Sequence, residues 1–338
     1  MDKAGMHTGA FYDALYPFTW TRRVGQIRLG ILTLEEKWAR LVEGGRPDWV
    51  PENVVPDRAL AGAIVASGGD RDRVLDGAKR LRFPWEIFQF NEKALIDDFA
   101  LLTEGRVSQP LPAHVQAIGR ERIFVEEGAV VEHAILNASA GPIYIAAGVT
   151  VMDGAFLRGP FAACEGTVVK MGAKIYGATT LGPYCTVGGE VKNAVMFGYS
   201  NKAHDGYLGD AVIGEWCNLG AGCTNSNVKN NAGEVKVWHQ ASGACLPAGI
   251  KCGLLMGDYS RAAINTSFNT GTVVGVSCNV FTEGLTSTHI PSFSWGAGTG
   301  ERYRLEDALR HIGNWKKFKN QGLTDDEIQA LTYIFEKI

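Results

Sequence analysis

His204 is the side chain in this sequence best suited to acid–base work. It stands in Asn201-Lys202-Ala203-His204-Asp205-Gly206-Tyr207-Leu208-Gly209-Asp210, with two carboxylates close by in the chain. Imidazole ionises nearer to neutrality than any other side chain, so a loop histidine beside carboxylates suits a general base. The plainer alternative is an exposed histidine with no chemical task. Lys192 lies twelve residues before His204, Asn218 fourteen residues after it, and Asn227 nine beyond Asn218. Lysine supplies a point charge for phosphate, and an asparagine amide can donate to or accept from both a sugar and an acyl group.

These residues need a scaffold, and the scaffold is written in steps of six. Ile145, Val151, Leu157, Ala163, Val169, Ile175, Leu181 and Val187 form an unbroken aliphatic run at that spacing, and Ile213 and Leu219 keep the same step. Ile250, Met256, Ala262, Phe268, Val274 and Val280 form a further run. A strand alternates with period two and a helix with 3.6, whereas an inward side chain every six residues is the mark of a triangular parallel β-helix. Its coils hold about 18 residues. The 42 glycines among 338 residues, well above the usual 7% or so, fit a chain that turns this often. The hexads begin near Ile118 and run to about Val280, with expected interruptions at 198–206 and 225–248 where loops leave the solenoid. Chemistry is expected on those loops, because a rigid scaffold positions them.

The flanks read differently. Thr33 with Glu36, and Thr324 with Glu327, make capping boxes that open helices, and 303–319 carries charge at helical spacing. The expected division is a short α/β unit over 1–105, a β-helix over 106–293 and a helical cap over 294–338. A net charge of −3 argues against nucleic-acid and anionic-membrane binders, and no apolar run approaches the roughly 20 residues of a membrane span. Residues 1–10 lack the pattern of a signal peptide, so a cytoplasmic location is expected. Seven cysteines without C-x-x-C spacing read as reduced core residues, with no metal site.

At this point the sequence resembles the acetyltransferase half of the bifunctional N-acetylglucosamine-1-phosphate uridylyltransferase/glucosamine-1-phosphate acetyltransferase family. That family's left-handed β-helix carries E-x-K-x-A, K-A-x-H-x-x-Y-x-G-D and N-[IL]-G-A-G in this order. Here they stand as Glu190 to Ala194, Lys202-Ala203-His204 through Asp210, and Asn218-Leu219-Gly220-Ala221-Gly222, with matching separations. The resemblance covers about 140 residues. It implies acetyl transfer from acetyl-CoA to the amine of an amino-sugar phosphate or nucleotide sugar. His204 would take the amine proton, Lys192 and Tyr207 would hold the sugar phosphate, and Asn218 would contact the sugar. Asn227 would hold the acyl carbonyl or the amine, and the Ala221 backbone would face the coenzyme. It also implies a homotrimer, in which Met196 to Tyr199 are expected at the contact.

Two positions depart from the pattern. Val228 follows Asn227 where the family has tyrosine, and Thr186 follows Gly182-Pro183-Tyr184-Cys185 where the family has a phosphate-gripping arginine; Lys170 or Lys174 would have to compensate. Leu15-Tyr16-Pro17-Phe18-Thr19-Trp20-Thr21-Arg22-Arg23 resembles the segment after the phosphate loop of sugar-phosphate nucleotidyltransferases, but without that loop's glycines before it. The whole layout resembles a branch of nucleotidyltransferase-like proteins with this β-helix. Arg22, Arg23 and Lys37 are the basic residues there that would meet a nucleotide, against a reading as plain surface charge. Alternatives to acetyl transfer are therefore Mg²⁺-dependent sugar-1-phosphate nucleotidyl transfer, with the β-helix only trimerising the chain, and a non-catalytic trimeric scaffold that binds sugar nucleotides.

Overall fold

Apolar residues repeated every six positions can all be buried only if the chain folds into stacked three-sided coils. A computed structural model, which describes residues 11–66, 71–298 and 300–338, has that architecture: mainly β, a parallel β-helix with helices at both ends. One face stacks the strands Gln116–Ile118, Ile135–Asn137, Phe156–Arg158 and Lys174–Tyr176 in parallel register. A second stacks Ile123–Val125, Ile143–Ile145, Phe161–Ala163 and Thr179–Leu181. A third runs from Val130–Val131 to Asn279–Val280 as an eight-stranded sheet. Glu190–Gly198 and Tyr207–Glu215 are each nine residues long and cross from the first face to the second, joining both into one sheet.

Every member of the run from Ile145 to Val187 is inward and at most 1% exposed. Ile118 and Ile250 are exceptions, being 56% and 61% exposed. Ile118 ends the edge strand of the first coil, and Ile250 belongs to the inserted loop, so neither has a coil on both sides to bury it. The first expected interruption is absent: Asn201–Lys202 is a regular third-face strand, and 198–206 form two corners around it. The second is real. Between Thr224–Asn225 and Leu255–Met256 the chain leaves the solenoid and makes an antiparallel hairpin, Lys236–His239 with Ala244–Pro247.

Among the described residues up to 105 the regular elements are helices: α1 (Leu34–Leu41), α2 (Arg58–Ala66), α3 (Arg71–Leu75) and α4 (Glu86–Thr103). Among the described residues before Gln116, the β component of the expected α/β unit is limited to the isolated bridges Arg28–Thr33 and Val54–Arg80. The reason lies in where the apolar side chains go. Leu15, Phe18, Ile27, Leu29, Trp85 and Phe88 pack with Val195, Phe197, Val212, Leu255 and Val273 on the outer side of the second face, so this segment shares the solenoid's sheet instead of building its own. Two C-terminal helices, α5 (Leu305–Lys317) and α6 (Asp325–Lys337), complete the same cluster. Both capping boxes form, Thr33 with Glu36 and Thr324 with Glu327.

The same packing corrects the expected role of Met196 to Tyr199. Met196 points into the solenoid; Phe197 is buried against Phe18, ring centroids 5.2 Å apart; Tyr199 stacks between Tyr184 and Trp216. That surface is covered by the chain itself. Six of the seven cysteines are buried and all are unpaired, Cys245 on the hairpin being exposed. Among the described residues no helix is long and apolar enough to cross a membrane, and residues 1–10, which bear on the absence of a leader, lie outside them.

Candidate functional site

The candidate residues gather along the edge where the third face turns into the first. His204 sits at the corner between Asn201–Lys202 and Tyr207–Glu215, exposed to solvent, and is therefore part of the solenoid rather than of a loop. Within its motif Ala203 is followed directly by His204, one residue short of K-A-x-H. The next corner stacks on it: the Gly222 amide donates to the Asp205 carbonyl at 3.0 Å, which places Ala221 beside the histidine's turn. Gly206, at φ +120°, is required here, because a Cβ would overlap the Cys223 carbonyl. Asn218 follows Asn201 in the third-face column, on the near side of the edge.

The first face supplies the other side. Glu190 pairs with Tyr207 and Lys192 with Gly209, while Tyr176 pairs with Lys192 one coil earlier. The Lys192 ammonium lies 5.8 Å from the Tyr176 ring centroid. Tyr176 donates to Glu190 at 2.6 Å, and that bond together with burial pushes its hydroxyl up to about 12. Gly209 matters because a Cβ there would collide with the Tyr207 hydroxyl, which lies across its backbone.

Asp210 is the hub that sequence reasoning missed. It is buried, holds a left-handed backbone at φ +48°, and accepts from Asn193 Nδ2 at 2.6 Å and from Asn227 Nδ2 at 2.5 Å. The final Asp of K-A-x-H-x-x-Y-x-G-D was its only signal, and nothing in the letters said that it would reach both asparagines. Asn227 also donates to the Tyr207 hydroxyl at 3.1 Å. With a carboxylate on one side, the Asn227 amide must present nitrogen there, so its Oδ1 is left to accept. That oxygen suits an N–H donor such as an amine, and not an acyl carbonyl. Burial and the nearby Asp210 charge push the Tyr207 hydroxyl up to about 12, so at neutral pH it carries a proton to donate.

Thr186, where an arginine was expected, lies in the third-face column below Asn201 and Asn218. Lys170 is on the same edge, its amide bonded to the Val187 carbonyl, and exposed Lys174 is in the first-face column beneath Glu190. Val228 is half-buried at the start of the hairpin loop. Cationic side chains thus flank the edge from two coils, though none occupies the arginine's column.

The N-terminal basic residues are not gathered there. Lys37 is buried and ion-paired to Asp98, which also accepts from the amides of Ile31 and Leu32 at 2.7 and 3.0 Å. Arg22 is buried against Asp258, and Arg23 is exposed, 3.5 Å from Glu35. Surface charge describes only Arg23; Arg22 ties the segment to the β-helix, and Lys37 ties α1 to α4 within it. Among the described residues no group of three or more His, Cys, Asp or Glu side chains is placed to hold a metal ion.

Comparison with known proteins agrees with the resemblance. Residues 7–59 match the model of a sugar nucleotidyl transferase family. The chain is 26% identical over 195 residues to the bifunctional protein GlmU of Methanocaldococcus jannaschii, covering 58% of this chain and 41% of that one. It is 33% identical over 93 residues to a bifunctional sugar-1-phosphate nucleotidylyltransferase/acetyltransferase of Sulfurisphaera tokodaii, covering 27% and 23%. The chain thus spans at most about two fifths of the length of these curated relatives. A solved UDP-N-acetylglucosamine acyltransferase of Francisella novicida superposes with a TM-score of 0.29 at 12% identity, over 66% of this chain and 87% of that one, too remote to bear on function.

Proposed function

We propose that this protein is a transferase that moves an acetyl or other acyl group from acetyl-CoA to the amine of an amino-sugar phosphate or nucleotide sugar, at the edge between the first and third faces. The observation that carries this reading is the free Oδ1 of Asn227, fixed by Asp210 beside a protonated Tyr207 on the face that His204's corner opens onto. In this reading Asn227 Oδ1 accepts one amine hydrogen and His204 removes the proton lost as the C–N bond forms; the thioester C–S bond would break in exchange, and the coenzyme would leave as its thiol with that proton. Tyr207 donates to the sugar phosphate, Lys192 adds charge, and Asn218 meets the sugar from the third face. Ala221, on the neighbouring corner, lies where a coenzyme arm would run. A coenzyme would supply the activated thioester; the chain's own residues bind, orient and move the proton.

The acceptor and coenzyme sites of such an edge are completed by a second copy, and we propose a homotrimer. The covered second face cannot make the contact. The first face can, since Phe156 and Ile118 stand exposed there by 50% and 56%. The divisions at 105/106 and 293/294 are retained as functional boundaries only, because the packing crosses both. Nucleotidyl transfer is the second reading, favoured by the match over 7–59. Against it, Arg22 and Lys37 are occupied in buried ion pairs, so a nucleotide there would have to displace them.

Thermal-shift measurements test these readings against one another, because a ligand bound only by the folded state raises Tm. Acetyl-CoA, CoA and glucosamine-1-phosphate are expected to stabilise the protein. Stabilisation only by UTP or dTTP with Mg²⁺ would move the activity to the N-terminal segment, and no response to any of them would favour a scaffold.

A further inference from the structure

The inward column of the third face reads Val131, Val151, Val169, Val187, Lys202, Leu219, Ala262 and Val280. Seven of its members are aliphatic, and the eighth is a lysine that is 2% exposed. A buried ammonium costs free energy unless its donors are used, so its placement at the coil that carries His204 calls for a reason. The Lys202 Nζ donates to the His204 carbonyl at 2.6 Å and to the Gly188 carbonyl, one coil below, at 3.0 Å. Among the described residues neither carbonyl receives a backbone N–H. The backbone ladder itself continues at this corner, the Gly188 amide donating to the Lys202 carbonyl at 2.7 Å, just as Lys170 does to the Val187 carbonyl and Gly220 to the Ala262 carbonyl elsewhere. At the His204 turn the lysine adds a hold from inside, on two carbonyls that the backbone ladder does not use.

We propose that Lys202 is a positioning residue: from inside the solenoid it pins the backbone of His204 to the coil below, and so presents the imidazole at the edge beside Tyr207 and Ala221. This rests on the reading of His204 as the base. Lys202 touches no substrate in this account. Its ammonium fixes the peptide that the catalytic side chain hangs from, which an aliphatic residue at the same place would leave free to turn.

The test is Lys202→Met in the full chain, which fills the column with an apolar side chain of similar length. Amide exchange over 203–206 is expected to quicken at least tenfold while the coils at 150–169 keep their wild-type protection and Tm does not fall. In acetyl transfer kcat is expected to drop at least tenfold with KM for both substrates within threefold. Lys202→Gln, which keeps a shorter donor, should fall between the two and serves if the methionine variant does not fold. Wild-type exchange at 203–206 in a folded variant overturns the proposal, as does faster exchange with unchanged kcat. If the wild-type protein transfers no acetyl group, the functional reading fails. The pinning claim is then decided by exchange and by the rate at which diethyl pyrocarbonate modifies His204, expected to change at least threefold in the variant.

Discussion

Tyr207 and Asn227 show how much of the account rests on single hydrogen bonds. Tyr207→Phe removes the hydroxyl proton offered to the acceptor and should raise the acceptor's KM about tenfold, the effect of roughly 1.5 kcal/mol, with Tm little changed; initial-rate kinetics decide this. Lys202 carries a pH prediction. Burial lowers its ammonium from its ordinary value of 10.5 to about 8, so the native state binds that proton less tightly than the unfolded chain. The charge therefore costs stability below about pH 8, and the cost fades as pH rises from 8 towards 10.5. The Tm of Lys202→Met relative to wild type should therefore fall between pH 7 and pH 10 when the two are melted side by side. His204 and Lys192 could be singled out from the letters by Glu190-x-Lys192 and His204-x-x-Tyr207, although Lys202-Ala203-His204 is one residue short of the pattern. Asp210's role was not, since reaching Asn193 and Asn227 depends on coil register that no local pattern encodes.

Elements were read with uneven success, for a physical reason. A six-residue period is imposed by the core itself, so the inward residues from Ile145 to Val187 follow directly from it. Interruptions were harder: 198–206 is polar yet regular, because a short third-face strand needs only one inward side chain and Lys202 fills that place. The N-terminal segment was the least legible, because α4 and the chain before α1 bury apolar side chains on sheet residues more than a hundred positions later, while Trp38, Val54 and Ala61 form a small core of their own. Asp98 on α4 anchors this arrangement, accepting from Lys37 of α1 and from two backbone amides. Asp98→Ala would leave a buried lysine uncompensated and is expected to cost about 3–5 kcal/mol, visible as a lower urea midpoint.

The whole molecule is bound together by charge as well as by apolar packing. Asp258, buried on the solenoid, accepts from Arg22, from Thr21 Oγ1 at 2.7 Å and from the Glu215 amide at 2.8 Å. Next to it, Tyr259 donates to Glu327 of α6 at 2.8 Å, and Glu327 pairs with Lys316 of α5 at 2.5 Å. The first and last described segments thus meet on one side of the β-helix. A chain beginning at residue 106 would uncover Val195, Phe197, Val212, Leu255 and Val273, and should bind the dye ANS strongly and sediment as aggregates. A soluble, monodisperse fragment without dye binding would show that the first 105 residues are a separable domain.

The most direct test of the central claim is the rate of acetyl transfer from acetyl-CoA to glucosamine-1-phosphate by the wild-type protein and by His204→Ala. The expected result is a rate lower in the variant by about 10²- to 10⁴-fold, with Tm unchanged. A His204→Ala protein that transfers acetyl groups at the wild-type rate would contradict it.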